Sequence, residues 1–209
     1  MVETIFEQFV TLWVVIDPIG TIPVFVAVTA TIEPKQRKKV AFQAALVAAC
    51  VLMFFLVLGQ FLIDALGISL PAFQIAGSLV LFLFALTMIF GESKPQTETE
   101  AASKAAPENS PAVFPLAVPS IASPGAMLAV VLLTDNHRFS IPEQAVSAGI
   151  MLAVIAIAFL LMLAAGPILK VIGMSGAAIV SRVMGIILAA VAVDNIIAAV
   201  VELLRTTVL

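Results

Sequence analysis

The chain has 209 residues, 62% of them hydrophobic and 11% charged, with a formal net charge of −3 and a mean hydropathy of +1.20. Soluble domains carry about 25% charged residues, and a water-soluble core of this size could not hide so much apolar surface, so the lipid bilayer is the solvent that fits. The acidic balance excludes a basic nucleic-acid footprint, and one cysteine (Cys50) with one histidine (His137) excludes an internal disulfide and a tetrahedral metal site.

A helical span needs about 20 apolar residues, and six segments meet that length, near 5–30, 40–63, 70–90, 114–134, 144–166 and 177–204. The first seven residues, Met1 to Glu7, include two acids, Glu3 and Glu7, but no Lys or Arg. A cleaved signal would have a basic start, so the first segment is expected to stay as a span. That segment is interrupted by Asp17-Pro18-Ile19-Gly20-Thr21-Ile22-Pro23. Pro18 and Pro23 lack N–H groups and Gly20 allows angles that other residues avoid, so the helix should unwind here. In hydrocarbon each unsatisfied backbone group costs several kcal/mol, so such a break survives only inside protein or beside a polar cavity. Residues 5–16 as helix cover about 18 Å, which puts the break near mid-membrane. Asp17 is either a functional group, meeting a substrate ammonium or a coupling proton or Na+, or a cap for the helix that follows.

After the first segment comes a charged turn, Glu33 to Lys39, expected to set topology and able to touch anionic lipid. Cys50 in the second segment is expected to be a small packing residue. Gln43, Gln60, Gln74 and Ser78 on segments two and three could line a cavity or bond to neighbouring helices. Residues 91–113, with Pro95, Pro107, Pro111, Glu98, Glu100 and Glu108, read as a solvated linker between two halves, 1–90 and 114–209.

The fourth segment is broken like the first, at Pro119-Ser120-Ile121-Ala122-Ser123-Pro124-Gly125. Proline is favoured at the first position of a helix, so Pro23 and Pro124 each begin a half-helix in this reading. Both would aim positive N-terminal ends at one central region that attracts a small anionic group. In segment six, Gly185, Ala189 and Ala192, like Gly77 and Ala85 in segment three, allow close helix approach. The pair Asp194-Asn195 either faces the site or holds helices together. His137, in the loop before segment five, is expected to be solvated. With the N-terminus outside, eight of the ten Lys and Arg residues fall on the cytoplasmic side, which favours both termini outside. An odd number of spans per half turns the second copy upside down, and paired broken spans in two inverted halves mark a transporter binding site. The fold expected is therefore all-α, with six spans in two inverted three-helix repeats and spans one and four broken at mid-membrane.

Three stretches carry a family resemblance: Asp17-Pro18-Ile19-Gly20-Thr21-Ile22-Pro23-Val24-Phe25; Gly67-Ile68-Ser69-Leu70-Pro71-Ala72-Phe73-Gln74-Ile75-Ala76-Gly77; and Phe114-Pro115-Leu116-Ala117-Val118-Pro119-Ser120-Ile121-Ala122-Ser123-Pro124-Gly125-Ala126. In this order they resemble the signatures of the MarC family, six-span proteins of bacterial and archaeal cytoplasmic membranes. The resemblance implies a carrier of small neutral amino acids such as alanine and glycine, with Pro18, Gly20, Pro23, Pro119, Pro124 and Gly125 framing the site. It also implies a departure, since Ser123 stands where the family usually has Gly. The substrate-binding set expected is Asp17, Pro18, Gly20, Thr21, Pro23, Ser120, Ser123, Pro124, Gly125 and Asn195. No cofactor and no catalytic role are expected; the alternatives are an intramembrane enzyme using Asp17 and Asp194, or an uncoupled channel. Pairing into a homo-oligomer is left open.

Overall fold

The computed structural model describes residues 2–90, 110–135 and 139–207, and every regular element among them is helical. In chain order these are α1 (Val2–Ile16), α2 (Pro18–Val28), α3 (Pro34–Ala65), α4 (Leu70–Phe90), α5 (Ala112–Ile121), α6 (Pro124–Leu132), α7 (Ile141–Leu163) and α8 (Ala165–Thr207). Most of the linker, together with His137 and Arg138, lies outside the described residues.

Among the described residues, five stretches are long and apolar enough to cross a membrane: Ile5–Val28, Pro34–Ala65, Leu70–Phe90, Ile141–Leu163 and Ala178–Arg205. The pair α5 and α6, bent by 53°, brings the number to six if it counts as one span. The chain is thus an all-helical, multi-pass membrane protein. The helix α3 begins earlier than the hydropathy indicated, so Lys35, Arg37, Lys38 and Lys39 belong to its first turns and not to a connecting turn.

The long helices bury one stripe each. On α4 the buried positions are Gln74, Ser78, Leu81, Ala85 and Met88, and on α7 they include Ser147, Met151, Val154, Ala158 and Met162. Spacings of three and four keep these on one face of a 3.6-residue helix. The opposite faces carry exposed Phe54, Phe61, Leu83, Leu160, Ile186 and Leu204, an apolar outer surface suited to lipid tails. Cys50 lies on this outer face, which corrects its expected packing role. A span needs an inward stripe only where it meets other helices, and position 50 points away from that stripe of Ala41, Ala44, Ala48 and Leu52.

The first span differs from the rest. It is 67% buried along its most apolar stretch, against 22–33% for the other four long helices. One of the two spans that the sequence interrupts is therefore enclosed by the bundle, which keeps its break out of lipid. The most extensive helix contact is α4 on α8. There a Cβ on Gly185 would lie 2.9 Å from Met88 Cβ and 3.1 Å from the Ala85 carbonyl, so only glycine lets the two backbones approach this closely.

Candidate functional site

The two proline-rich breaks meet at the centre of the bundle. Asp17 separates α1 from α2 with φ 49° and ψ 66°, a left-handed conformation that aspartate tolerates better than most residues. Its Oδ1 accepts the Gly20 N–H at 3.0 Å, capping α2. A Cβ on Gly20 would run into the Asp17 carboxylate, so the glycine makes room for the cap. The half-helix expected to begin at Pro23 begins instead at Pro18, and Pro23 lies inside it: the chain leaves helical geometry only at Asp17, because Pro18 at the first position of α2 has no N–H to lose and the Asp17 side chain caps the new start. Asp17 thus takes up an N–H at the helix end that sequence reasoning offered to a substrate anion.

The second break runs through α5, a wide π-type coil in which Phe114 and Val118 adopt extended angles and the peptides before Pro115 and Pro119 are cis. Ser123 then caps α6, its Oγ accepting the Ala126 N–H at 3.1 Å. The same hydroxyl donates to the Val15 carbonyl at 2.9 Å, reaching from one break to the other. A second bridge joins Thr21 Oγ1 and Ser120 Oγ at 3.1 Å, while Thr21 also donates to the Asp17 carbonyl at 3.1 Å. Asp17, Thr21, Ser120 and Ser123 are each at most 3% exposed. The sequence-predicted residues Asp17, Thr21, Ser120 and Ser123 are therefore brought together, bonded largely to one another and to backbone. Pro18, Gly20, Pro23 and Gly125 are buried around them, Gly125 with Leu81 pressed against it, and Pro124 opens α6.

Beside this junction lies a cavity of about 690 Å³ between α1, α4, α6 and α8. Val15, whose carbonyl holds Ser123, lines it, so the cavity adjoins the junction of the breaks, whose own residues do not line it. Its polar lining comes from Glu7, Thr11, Asp194 and Asn195, and its apolar lining includes Leu81, Leu128 and Leu132. Two carboxylates and no cation line it, which favours a positively charged or dipolar occupant. Asn195 is thus the one predicted site residue that lines the cavity directly, and Asp194 joins it there. Asp17 does not line it, so the two aspartates of the enzyme alternative do not share this space. Helix attachment at this level comes from Gln74, whose Nε2 donates to the Asn195 carbonyl at 3.1 Å.

Sequence reasoning missed Glu7 and Thr11. Glu7, Thr11 and Val15 follow one another at intervals of four, which places them on one face of α1. That polar stripe leading to the break was a readable signal.

A sequence model of the family described as "MarC family integral membrane protein" matches residues 2–204. A "UPF0056 membrane protein" of Archaeoglobus fulgidus is 31% identical over 191 residues, covering 90% of this chain and 88% of that protein. A "UPF0056 inner membrane protein MarC" of Salmonella arizonae is 29% identical over 200 residues, covering 91% of this chain and 90% of that protein. No solved structure matches the chain. Helical architecture, three ordered signatures and full-length similarity agree: the chain belongs to the MarC family of integral membrane proteins.

Proposed function

We propose that the protein is a secondary carrier for small neutral amino acids or similar small metabolites, working by alternating access at the paired breaks. The observation that carries this reading is the cavity whose wall includes Val15, the carbonyl that receives Ser123 from the other break. A solute entering there meets Glu7 and Asp194, which suit an ammonium group, and Thr11 and Asn195, which suit a carboxylate. The apolar remainder around Leu81 and Leu128 suits a short side chain.

The helix contacts support two inverted repeats. Write the spans as one (α1 with α2), two (α3), three (α4), four (α5 with α6), five (α7) and six (α8). Spans one and four, two and five, and three and six pack on each other. Contacts of span one with five recur as span four with two, and contacts of one with six recur as four with three. A contact pattern that survives exchange of the halves is what a pseudo-two-fold axis in the membrane plane produces. The two breaks then sit on that axis, and the bridges Ser123 to Val15 and Thr21 to Ser120 are the latch that must rearrange when access switches sides. In the arrangement with both termini outside, Glu7 and Thr11 lie toward the outer mouth, and the cavity is the outward-facing half of the path.

The test is counterflow of labelled alanine and glycine into proteoliposomes preloaded with unlabelled amino acid. Transient accumulation that saturates and is competed by other small amino acids is the expected result. Flux that never saturates would replace the carrier with a channel, and a flat trace from folded, reconstituted protein would remove small amino acids as substrates.

A further inference from the structure

A second cavity, of about 260 Å³, opens where three candidate spans end. Its walls include Phe25, Thr29, Met162 and Leu163, and its charged residues are Arg37 and Lys38. The first span stops at Val28, α3 starts at Pro34 and α7 stops at Leu163, so the cavity sits at the level where a bilayer passes from acyl chains to headgroups. Apolar walls leading to a pair of cations match one kind of neighbour at that depth, an anionic phospholipid.

The start of α3 gives an independent reason. Four cations, Lys35, Arg37, Lys38 and Lys39, crowd its first turns against one acid, Glu33 at the N-cap, although a helix N-terminus carries partial positive charge and favours anions. No side chain caps this end. Arg37 is held in place, Nε donating to the Ile32 carbonyl at 2.9 Å and Nη2 to the Ala30 carbonyl at 3.1 Å, which uses only part of its N–H fork. The corresponding end of the other half, α7, supplies its own anion: Glu143 accepts the Ser140 N–H at 2.8 Å and the Ser140 O–H at 2.7 Å. Of two matching helix starts, one has its carboxylate bonded to the N-cap residue, and the other has Glu33 at the N-cap making no capping bond, with cations gathered behind it.

We infer that the cavity between α2, α3, α7 and the start of α8 binds an anionic phospholipid, its phosphate held by Arg37 and Lys38 at the N-terminus of α3 and an acyl chain laid against Phe25, Met162 and Leu163. The inference stands apart from the carrier reading, since the cavity shares no lining residue with the central one.

Native mass spectrometry of the full chain in detergent, titrated with phosphatidylglycerol or with phosphatidylcholine of the same chains, tests it. Phosphatidylglycerol should be retained in preference. Lys38→Gln, which leaves both Arg37 bonds to the turn intact, should weaken its binding about fivefold, equivalent to ~1 kcal/mol for one cation near a lipid surface. Lys170→Gln, a cation that does not line the cavity, should leave binding unchanged. Equal retention of both lipids, equal effects of the two substitutions, or protection from melting by inorganic phosphate as strong as that by phosphatidylglycerol would each overturn the inference.

Discussion

Ser123 has one hydroxyl serving two partners, and the two uses can be separated by substitution. Ser123→Ala removes the α6 cap, which costs about 0.5–2 kcal/mol, and leaves the buried Val15 carbonyl without its donor, which costs about 1–3 kcal/mol. Ser123→Gly keeps most of the capping benefit, because glycine at this position costs only a few tenths of a kcal/mol relative to serine. Both variants should melt below the wild type in detergent, with alanine the lower of the two. A glycine variant as stable as the wild type would show that the bond between the breaks contributes nothing. The Gly20 site makes a different prediction, because its missing Cβ is the space the Asp17 carboxylate occupies. Gly20→Ala should destabilise strongly on its own and much less when Asp17 is already alanine, a coupling that a double-mutant cycle of melting curves measures directly. Independent effects of the two substitutions would mean that the cap is not what the glycine is for.

At the scale of elements, Gly185 and Gly149 are two helical glycines in opposite surroundings. A Cβ on Gly185 meets Met88 and the Ala85 backbone carbonyl at the α4–α8 seam, whereas one on Gly149 meets nothing within 4 Å. Gly185→Ala should cost about 1–3 kcal/mol by overpacking against a backbone that cannot retreat. Gly149→Ala should be neutral or stabilise by up to about 1 kcal/mol, since alanine is the better helix former. Comparing their melting temperatures under one set of conditions checks both, and a harmless Gly185→Ala would mean the helices have room to part. The seam also shows what sequence could and could not reveal. Ala85 and Gly185 were legible as close-approach positions because only their size matters, whereas Gly77 makes room for the Leu128 side chain of α6. The position of the breaks was legible because prolines and glycines mark them, but at the first break the non-helical residue is Asp17, while Pro18, Gly20 and Pro23 are helical. The Ser123–Val15 bond joins residues 108 positions apart, and the Thr21–Ser120 bond residues 99 apart, so no local rule predicts them. Local chemistry likewise could not choose between a ligand and a cap for Asp17; the left-handed backbone and the Gly20 N–H make it a cap here.

For the whole molecule the decisive question is whether the cavity beside the breaks is a water-filled path open on one side. Cys50 is the only native cysteine and lies on the apolar outer face, so Cys50→Ser is a mild starting background for introducing thiols elsewhere. In that background Thr11→Cys puts a thiol in the cavity lining, and Val24→Cys puts one at a fully buried position outside it. A thiol reacts as its thiolate, which requires water, so a membrane-impermeant maleimide should label Thr11→Cys about tenfold faster than Val24→Cys. In right-side-out vesicles the label should arrive from outside if both termini face outward. Labelling only after the vesicles are opened would reverse that orientation while keeping the cavity, and equal, slow labelling of both thiols would remove the aqueous path. Alanine in the medium supplies the last discrimination. A carrier that binds it beside Glu7 and Asp194 must slow labelling at Thr11 with saturable dependence on alanine, because the occupant and the reagent compete for the same space. A cavity that serves only as a crevice between helices has no reason to respond.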